Sequence, residues 1–290
     1  MEYPLINQLT NTIRKLNIFK TPQDFLDANI NYLEENELVN NLTLGIINNI
    51  SDKTKEYKDH NYISVTDNGS TEAISVSTSP RIIISGDQKY KDAIKLISKY
   101  YIDSGQTMSG VIGEKAISKL FADETGLRQF KERGLIVHEL VKVNEVPVCK
   151  GSFEKVKQEE AELIAGHRIT FEKETFGFTR LKYDELLKDT ETKIRNGNLF
   201  SWKVKDEIVS MAAIMRNTKN IGIIGLVYTP PQFRGNGYAT VTVLKLSELI
   251  FERGFSKCGL FTDISNPTSN HIYYKIGYRP VTHFADIYFN

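Results

Sequence analysis

The stretch GLVYTPPQFRGNGYAT, residues 225–240, passes from an apolar strand pattern through two prolines into two glycines and then straight into a helix pattern. Proline cannot donate to a sheet ladder, so the strand must end there. Glycine opens backbone conformations that side chains close, so Gly235 and Gly237 set a tight turn at the mouth of the helix. Ala239, Val243, Leu246 and Ile250 then recur at steps of four, three and four, one apolar stripe that Gly254 stops. A strand, a bared loop and an amphipathic helix in that order require a sheet with a helix packed on it. They also leave the first N–H groups of the helix without intrahelical partners, at the positive end of its dipole. Arg234, Gly235, Asn236, Gly237 and Tyr238 therefore form a seat suited to a diphosphate.

Two nucleotide motifs fail on inspection. FRGNGYAT gives GxGxxT rather than GxGxxG, and no βαβ unit surrounds it. SGQTMSGVIGEK, Ser104 to Lys115, places Val111 after Gly110 where a P-loop needs lysine.

The whole chain divides into two α+β halves. In the first, Phe25, Ile30 and Leu33, then Leu42, Leu44, Ile46, Ile47 and Ile50, mark two helices, and NYISVTD and EAISVST alternate around the turn DNGS. RIIISG is a short strand, residues 88–101 form an amphipathic helix, 116–122 lie in another, and GLIVHELVKV is a strand. NEVPVCKGSFEKVKQEE shifts to charge, with a proline and a glycine, which places the junction between domains 1–149 and 150–290. The second half carries helices over 159–174 and 184–195, a hairpin of NLFSWKV and EIVSMAAIMRNT around KDE, and the strand NIGIIGLVYT. After the helix at Gly237 come the strand SKCGLFT, a helix opened by Asn266 and Pro267 and closed by Gly277, and the strand RPVTHFADIYF.

A chain of 290 residues exceeds the ~250 over which one core keeps growing, which favours two domains. Its composition, 40% hydrophobic and 25% charged, is that of a globular protein, and a formal net charge of +1 supplies no field for nucleic acid or an anionic membrane. MEYPLINQLTNTIRKL lacks the basic flank and apolar core of a secretory signal, and no apolar run approaches the ~20 residues of a membrane span, so a cytoplasmic location is expected. Cys149 and Cys258 are the only cysteines, and the histidines have neither HExxH nor CxxC company, so neither a disulfide framework nor a metal site is expected.

QFRGNG fits the Q/RxxGxG/A signature of the GNAT N-acetyltransferase superfamily, with Gln232 as its first position. NPTSNHIYYKIGY resembles that family's second element, in which Asn266 opens a helix, Tyr273 lies seven residues on, and Gly277 and Tyr278 follow. The resemblance covers residues 151–290. VYTPPQFRGNGYA and LFTDISNPTSNHIYYKIGYRPV are similar to a bacterial subgroup in which a divergent GNAT-like N-terminal domain precedes the active one, and MSGVIGEKAISKLFADE resembles a segment of that first domain.

This resemblance implies two GNAT-like domains, each a mixed, mostly antiparallel sheet flanked by helices. It implies an N-acetyltransferase that moves an acetyl group from acetyl-CoA to a primary amine of a small molecule or peptide, directly, in a ternary complex. In the family the loop grips the pyrophosphate of coenzyme A, here with Gln232, Arg234, Gly235, Asn236, Gly237, Tyr238 and Ala239. Leu226, Val227 and Thr229 would add main-chain contacts beside a bulge, Asn266 and Ser269 further contacts, and Tyr273 would protonate the departing thiolate. The first domain shows no phosphate signature and is expected not to hold acetyl-CoA.

Gly222 and Gly225 are what a bulge or a close backbone approach requires. Many relatives carry a glutamate on the strand before the bulge, whereas Ile221 to Leu226 offers no carboxylate. Asp263 is the first choice of base, and Glu172 or Glu174 the second. A coenzyme A-binding sensor or interaction protein that kept the cradle and lost the chemistry is the competing class.

Overall fold

The computed structural model describes residues 5–6, 13–51, 60–78 and 80–290. They fall into two compact units, the first comprising the described residues up to 137 with 262–266 and 280–290, the second residues 138–261 and 267–279. The first contains β1 (Leu5–Ile6), β2 (Ile13–Phe19), α1 (Pro22–Glu35), α2 (Asn41–Ser51), β3 (His60–Asp67), β4 (Ser70–Thr78), β5 (Arg81–Gly86), α3 (Lys91–Asp103), β6 (Gly110–Glu114), α4 (Lys115–Thr125) and most of β7 (Gln129–Leu140). The second contains β8 (Ser152–Lys155), α5 (Ala161–Phe176), α6 (Tyr183–Arg195), β9 (Leu199–Val204), β10 (Glu207–Ile214), β11 (Ile221–Tyr228), α7 (Tyr238–Glu252), most of β12 (Lys257–Asp263) and α8 (Pro267–Ile276). The last strand, β13 (Arg279–Phe289), groups with the first unit except for Arg279.

Each unit repeats one order: two helices, an antiparallel run of strands, a helix, a strand parallel to the last of them, and a helix. Strands β2 to β5 pair antiparallel, and β5 then pairs parallel with β6. Likewise β8 to β11 pair antiparallel, and β11 pairs parallel with β12. In each unit the strand pairing is mixed and mostly antiparallel, with helices against it, as expected from the sequence. The hairpin turns β3–β4 and β9–β10 place Asn68 and Gly69 (φ 48 and 82) and Lys205 and Asp206 (φ 51 and 65) in the left-handed region, the turn whose twist suits adjoining strands. The first core gathers Ile63, Ile84, Ile94, Tyr101 and Phe121, the second Phe200, Val243, Leu246, Ile250 and Tyr278.

The charged segment read as a junction contains β8, whose register against β9 runs from Ser152↔Lys203 to Lys155↔Phe200. The grouping of residues is not one cut after residue 149. Residues 138–149 join the second unit, while β13 pairs antiparallel with β6 from Phe284↔Glu114 to Tyr288↔Gly110. Alternation in RPVTHFADIYF marks a strand but does not name its partner. Helix α3 starts at Lys91, after a 3-10 turn over Gln88–Tyr90.

Candidate functional site

β11 runs beside β12 only as far as Ile224↔Leu260, although β11 continues to Tyr228 and β12 to Asp263. On its other edge Gly225 pairs with Ala213 and Tyr228 with Met211, so three steps of β11 match two of β10. The added residue makes a bulge, and Leu226 occupies the left-handed region at φ 52. Leucine there costs roughly 1–2 kcal/mol. Neither Leu226 nor Val227 has a register partner in β10 or β12. Gly222 and Gly225 serve close approach rather than the bulge itself: a Cβ on Gly222 would lie 2.5 Å from Cγ2 of Ile250, and one on Gly225 2.7 Å from Cγ of Met215.

Beyond Tyr228 the chain turns through Pro231–Phe233, where Gln232 is exposed, and enters α7 behind Gly235 (φ 83) and Gly237 (φ 80). No side chain caps this helix. Among the described residues none accepts a hydrogen bond from the backbone N–H groups of residues 235–239. A Cβ at either glycine would meet nothing within 4 Å, so the turn faces open space. Asn236 donates from Nδ2 to the carbonyls of Phe233 (3.1 Å) and Arg234 (3.3 Å), which fixes the turn and leaves its amides clear. Tyr238 packs on Trp202, Val209 and Val241, and Ala239 is half-buried in the first turn.

Arg234 donates from Nε to the Thr229 carbonyl (2.9 Å) and from Nη2 to both oxygens of Glu174 (3.0 and 2.8 Å). Thr229 donates its hydroxyl to Ser210 Oγ (3.0 Å). Glu174 shares a face of α5 with His167 and Phe171, whose rings lie 5.8 and 6.4 Å from that of Tyr228. Burial lowers the His167 pKa, favouring the neutral ring, and burial foremost raises that of Tyr228. The steps of four and three from His167 to Glu174 were a visible signal of that face, left unused by the sequence reading.

Tyr273 on α8 is buried, 7% exposed, beside His138 and Tyr278 (centroids 6.4 and 6.0 Å). No described residue hydrogen-bonds its hydroxyl, and burial alone pushes its pKa well above the ordinary phenol value. Ser269, half-buried, lies on the same helix, and Asn266 is the exposed residue just before it. Asn266 and Asp263 group with the first unit, whereas the turn at 235–239, β11 and Tyr273 group with the second. Asp263 accepts from the Ser265 hydroxyl (2.6 Å) and amide (2.9 Å) and from Arg133 (3.2 Å). Burial pushes this carboxyl up, but those partners outweigh burial and hold it below its ordinary value. Glu172 is buried and accepts from the Arg180 amide (2.8 Å) and guanidinium (3.3 Å). Cys258 is fully buried, and burial pushes its thiol up to about 12.

Among the described residues no group of His, Cys, Asp and Glu could hold a metal ion, and no helix is long and apolar enough to cross a membrane. Residues 203–285 match the family model described as FR47-like protein. An acetyltransferase of the GNAT family from Colwellia psychrerythraea is similar in structure, with a TM-score of 0.62 at 11% identity over 95% of this chain and 100% of that one. A tandem GNAT protein from the clavulanic acid biosynthesis pathway gives 0.53 at 10% identity over 94% of this chain and 98% of that one. A GCN5-related N-acetyltransferase from Sphaerobacter thermophilus gives 0.53 at 14% identity over 78% and 79%. No curated protein matches the chain in sequence. The chain has the GNAT fold, and its likeness to the tandem protein extends over nearly its full length. It carries an FR47-like segment across β10 to β13.

Proposed function

We propose that this chain is an N-acetyltransferase that takes an acetyl group from acetyl-CoA and passes it to a primary amine of a small molecule or peptide. One observation carries this function: the free amides at the entrance of α7 follow directly on the point where β11 leaves β12. Amides of residues 235–239 suit a diphosphate, whose charge is favoured at the positive end of a helix. Arg234 and Gln232 flank them, and Ser269 is a further coenzyme A contact in this scheme. The unpaired backbone at Leu226 and Val227, with Thr229, suits the pantetheine arm. In this scheme an N–H near Val227 meets the thioester oxygen as charge develops on it, a donor whose loss costs ~3–4 kcal/mol in other enzymes.

The amine nitrogen bonds to the carbonyl carbon, the C–S bond breaks, the nitrogen loses one proton and the sulfur gains one. Tyr273 offers a buried hydroxyl with no protein partner for the leaving sulfur. Its raised pKa keeps it protonated. Against a thiol of ordinary pKa, ~8.5, it acts chiefly as a hydrogen-bond donor. Asp263 is a weak proton acceptor because it is held low, Glu172 is engaged by Arg180, and Glu174 is paired with Arg234 until coenzyme A takes the guanidinium. In this scheme the amine reacts in its neutral form.

Calorimetric titration with coenzyme A, and thiol release from acetyl-CoA over a panel of primary amines, test this function. Amine-dependent release that falls roughly a hundredfold in Tyr273→Phe, the scale of losing one donor to developing charge, is expected. Saturable binding with no release for any amine overturns the transferase, and absence of binding overturns the cradle.

A further inference from the structure

The parallel pair of the first unit also separates. The register of β5 against β6 runs from Arg81↔Gly110 to Ile83↔Ile112, while β5 continues to Gly86 and β6 to Glu114. At the carboxyl ends of these strands lies a cavity of about 1150 Å³. Such crevices at diverging parallel strands are where ligands of α/β sheets bind, and small-molecule clefts need only ~300–1,000 Å³.

What fills the phosphate position differs between the units. Where the second unit bares the amides before α7, the first places Asp87, which accepts from the Lys89 amide (2.9 Å) and pairs with its ammonium (3.2 Å). A fixed carboxylate thus occupies the seat that glycines leave open in the other unit, and it repels an anion there.

The remaining charges around the cavity lean the same way. Lys89 is held by Asp87, Lys119 by Glu132 (3.3 Å), and Glu72 by Arg14 (2.6 Å). Glu35 and Glu114 have no cationic partner among the described residues, and Glu114 accepts only from the Thr282 hydroxyl (2.8 Å). Against these two carboxylates stands Lys115, exposed and without a carboxylate partner among the described residues. Tyr32 lies in the same surroundings: burial pushes its phenol up to about 12, a hydrogen bond shared with Ser85 opposes this, and Glu114, Asp87 and Glu35 all raise it.

We infer that the cavity of the first unit binds an organic cation bearing primary ammonium groups, held by Glu35 and Glu114. The inference stands apart from acetyl transfer, since it uses none of the residues placed in that site. A diamine matches two uncompensated carboxylates, so 1,4-diaminobutane is the probe and 1,4-butanediol its uncharged counterpart.

Calorimetric titration of the full chain at low salt should show saturable binding of the diamine and none of the diol. Glu35→Gln, a change at an exposed side chain, should weaken binding several-fold, and Glu35→Gln with Glu114→Gln about tenfold or more, the scale of lost charge-assisted hydrogen bonds. Gly237→Asp, in the other unit, should leave diamine affinity unchanged. No saturable diamine binding, equal affinity in the Glu35→Gln variant and the wild type, or loss of binding in Gly237→Asp would each overturn the assignment. So would saturable binding of inorganic phosphate that Lys115→Gln abolishes, because the cavity would then be an anion site.

Discussion

Arg234 and Glu174, 60 residues apart in the chain, meet through one guanidinium nitrogen and both carboxylate oxygens, at 2.8 and 3.0 Å. Their side chains are 48% and 43% exposed, so the pair is worth ~0–1 kcal/mol and the guanidinium can change partner at little cost. With Arg234 on the diphosphate, Glu174 is its competitor. Glu174→Gln is expected to tighten coenzyme A binding several-fold and Arg234→Ala to weaken it about tenfold, with both effects shrinking as salt rises. Calorimetry over a salt series checks this, and wild-type affinity in both variants removes Arg234 from the site.

Gly237 sits at φ 80 with open space where a side chain would start. Gly237→Val should therefore strain the backbone by roughly 1–2 kcal/mol without a steric clash. It should also cover the amides, cutting coenzyme A affinity more than tenfold. A folded variant by circular dichroism that still binds as the wild type would show that those amides are not the seat.

Tyr273 separates a chemical role from a packing one. Its hydroxyl has no partner in the protein, so Tyr273→Phe should leave stability unchanged or slightly raised, because removing an unsatisfied polar group is near neutral. Thiol release should fall all the same. Burial raises its pKa, so no loss of activity between pH 7 and 10 should trace to its ionisation, and the rate should climb with pH toward the acceptor amine's own pKa. A plateau starting near pH 5 would instead point to a carboxylate base.

Gly222 is fixed by packing. An added methyl would meet Ile250 at 2.5 Å, and such overpacking costs ~1–3 kcal/mol. Gly222→Ala should destabilise by that amount in the wild type and by much less in an Ile250→Ala background, a coupling that urea denaturation of the four proteins in the cycle measures. Additive effects would disconnect the two residues.

Asp263 gives the fold an acid limb. Its folded-state pKa is depressed, so its contribution is fully present above the unfolded value of ~3.9 and fades as pH falls through the lower, folded value. Asp263→Asn should lower the urea midpoint at pH 6 and converge with the wild type at the acid end. A constant difference at every pH would mean that the ion pair with Arg133 contributes nothing to the titration.

What was legible in the sequence was whatever a residue type enforces locally. Gly235 and Gly237 were placed at the mouth of α7 because positive φ selects glycine, and Asn68 with Gly69 marked a hairpin for the same reason. Of the two readings of Gly222 and Gly225, a bulge or a close approach, the structure shows the close approach; the left-handed residue of the bulge is Leu226, and a leucine carries no outward sign of that backbone. Arg234 and Glu174 were both named, but a contact spanning two elements leaves no periodic trace. Asp87 escaped notice because a lone aspartate before a helix is ordinary, and its meaning depends on the cavity beside it.

The pairing of β13 with β6 sets a timetable for biosynthesis. Glu114 emerges from the ribosome about 165 residues ahead of Arg279, roughly ten to thirty seconds at ordinary elongation rates. Throughout that interval one border of β6 has no strand to receive, a bare ladder of the kind that invites mispairing between nascent chains. A slow patch of codons in the second half, or a chaperone held on the first, should therefore govern how much of this protein reaches its native form.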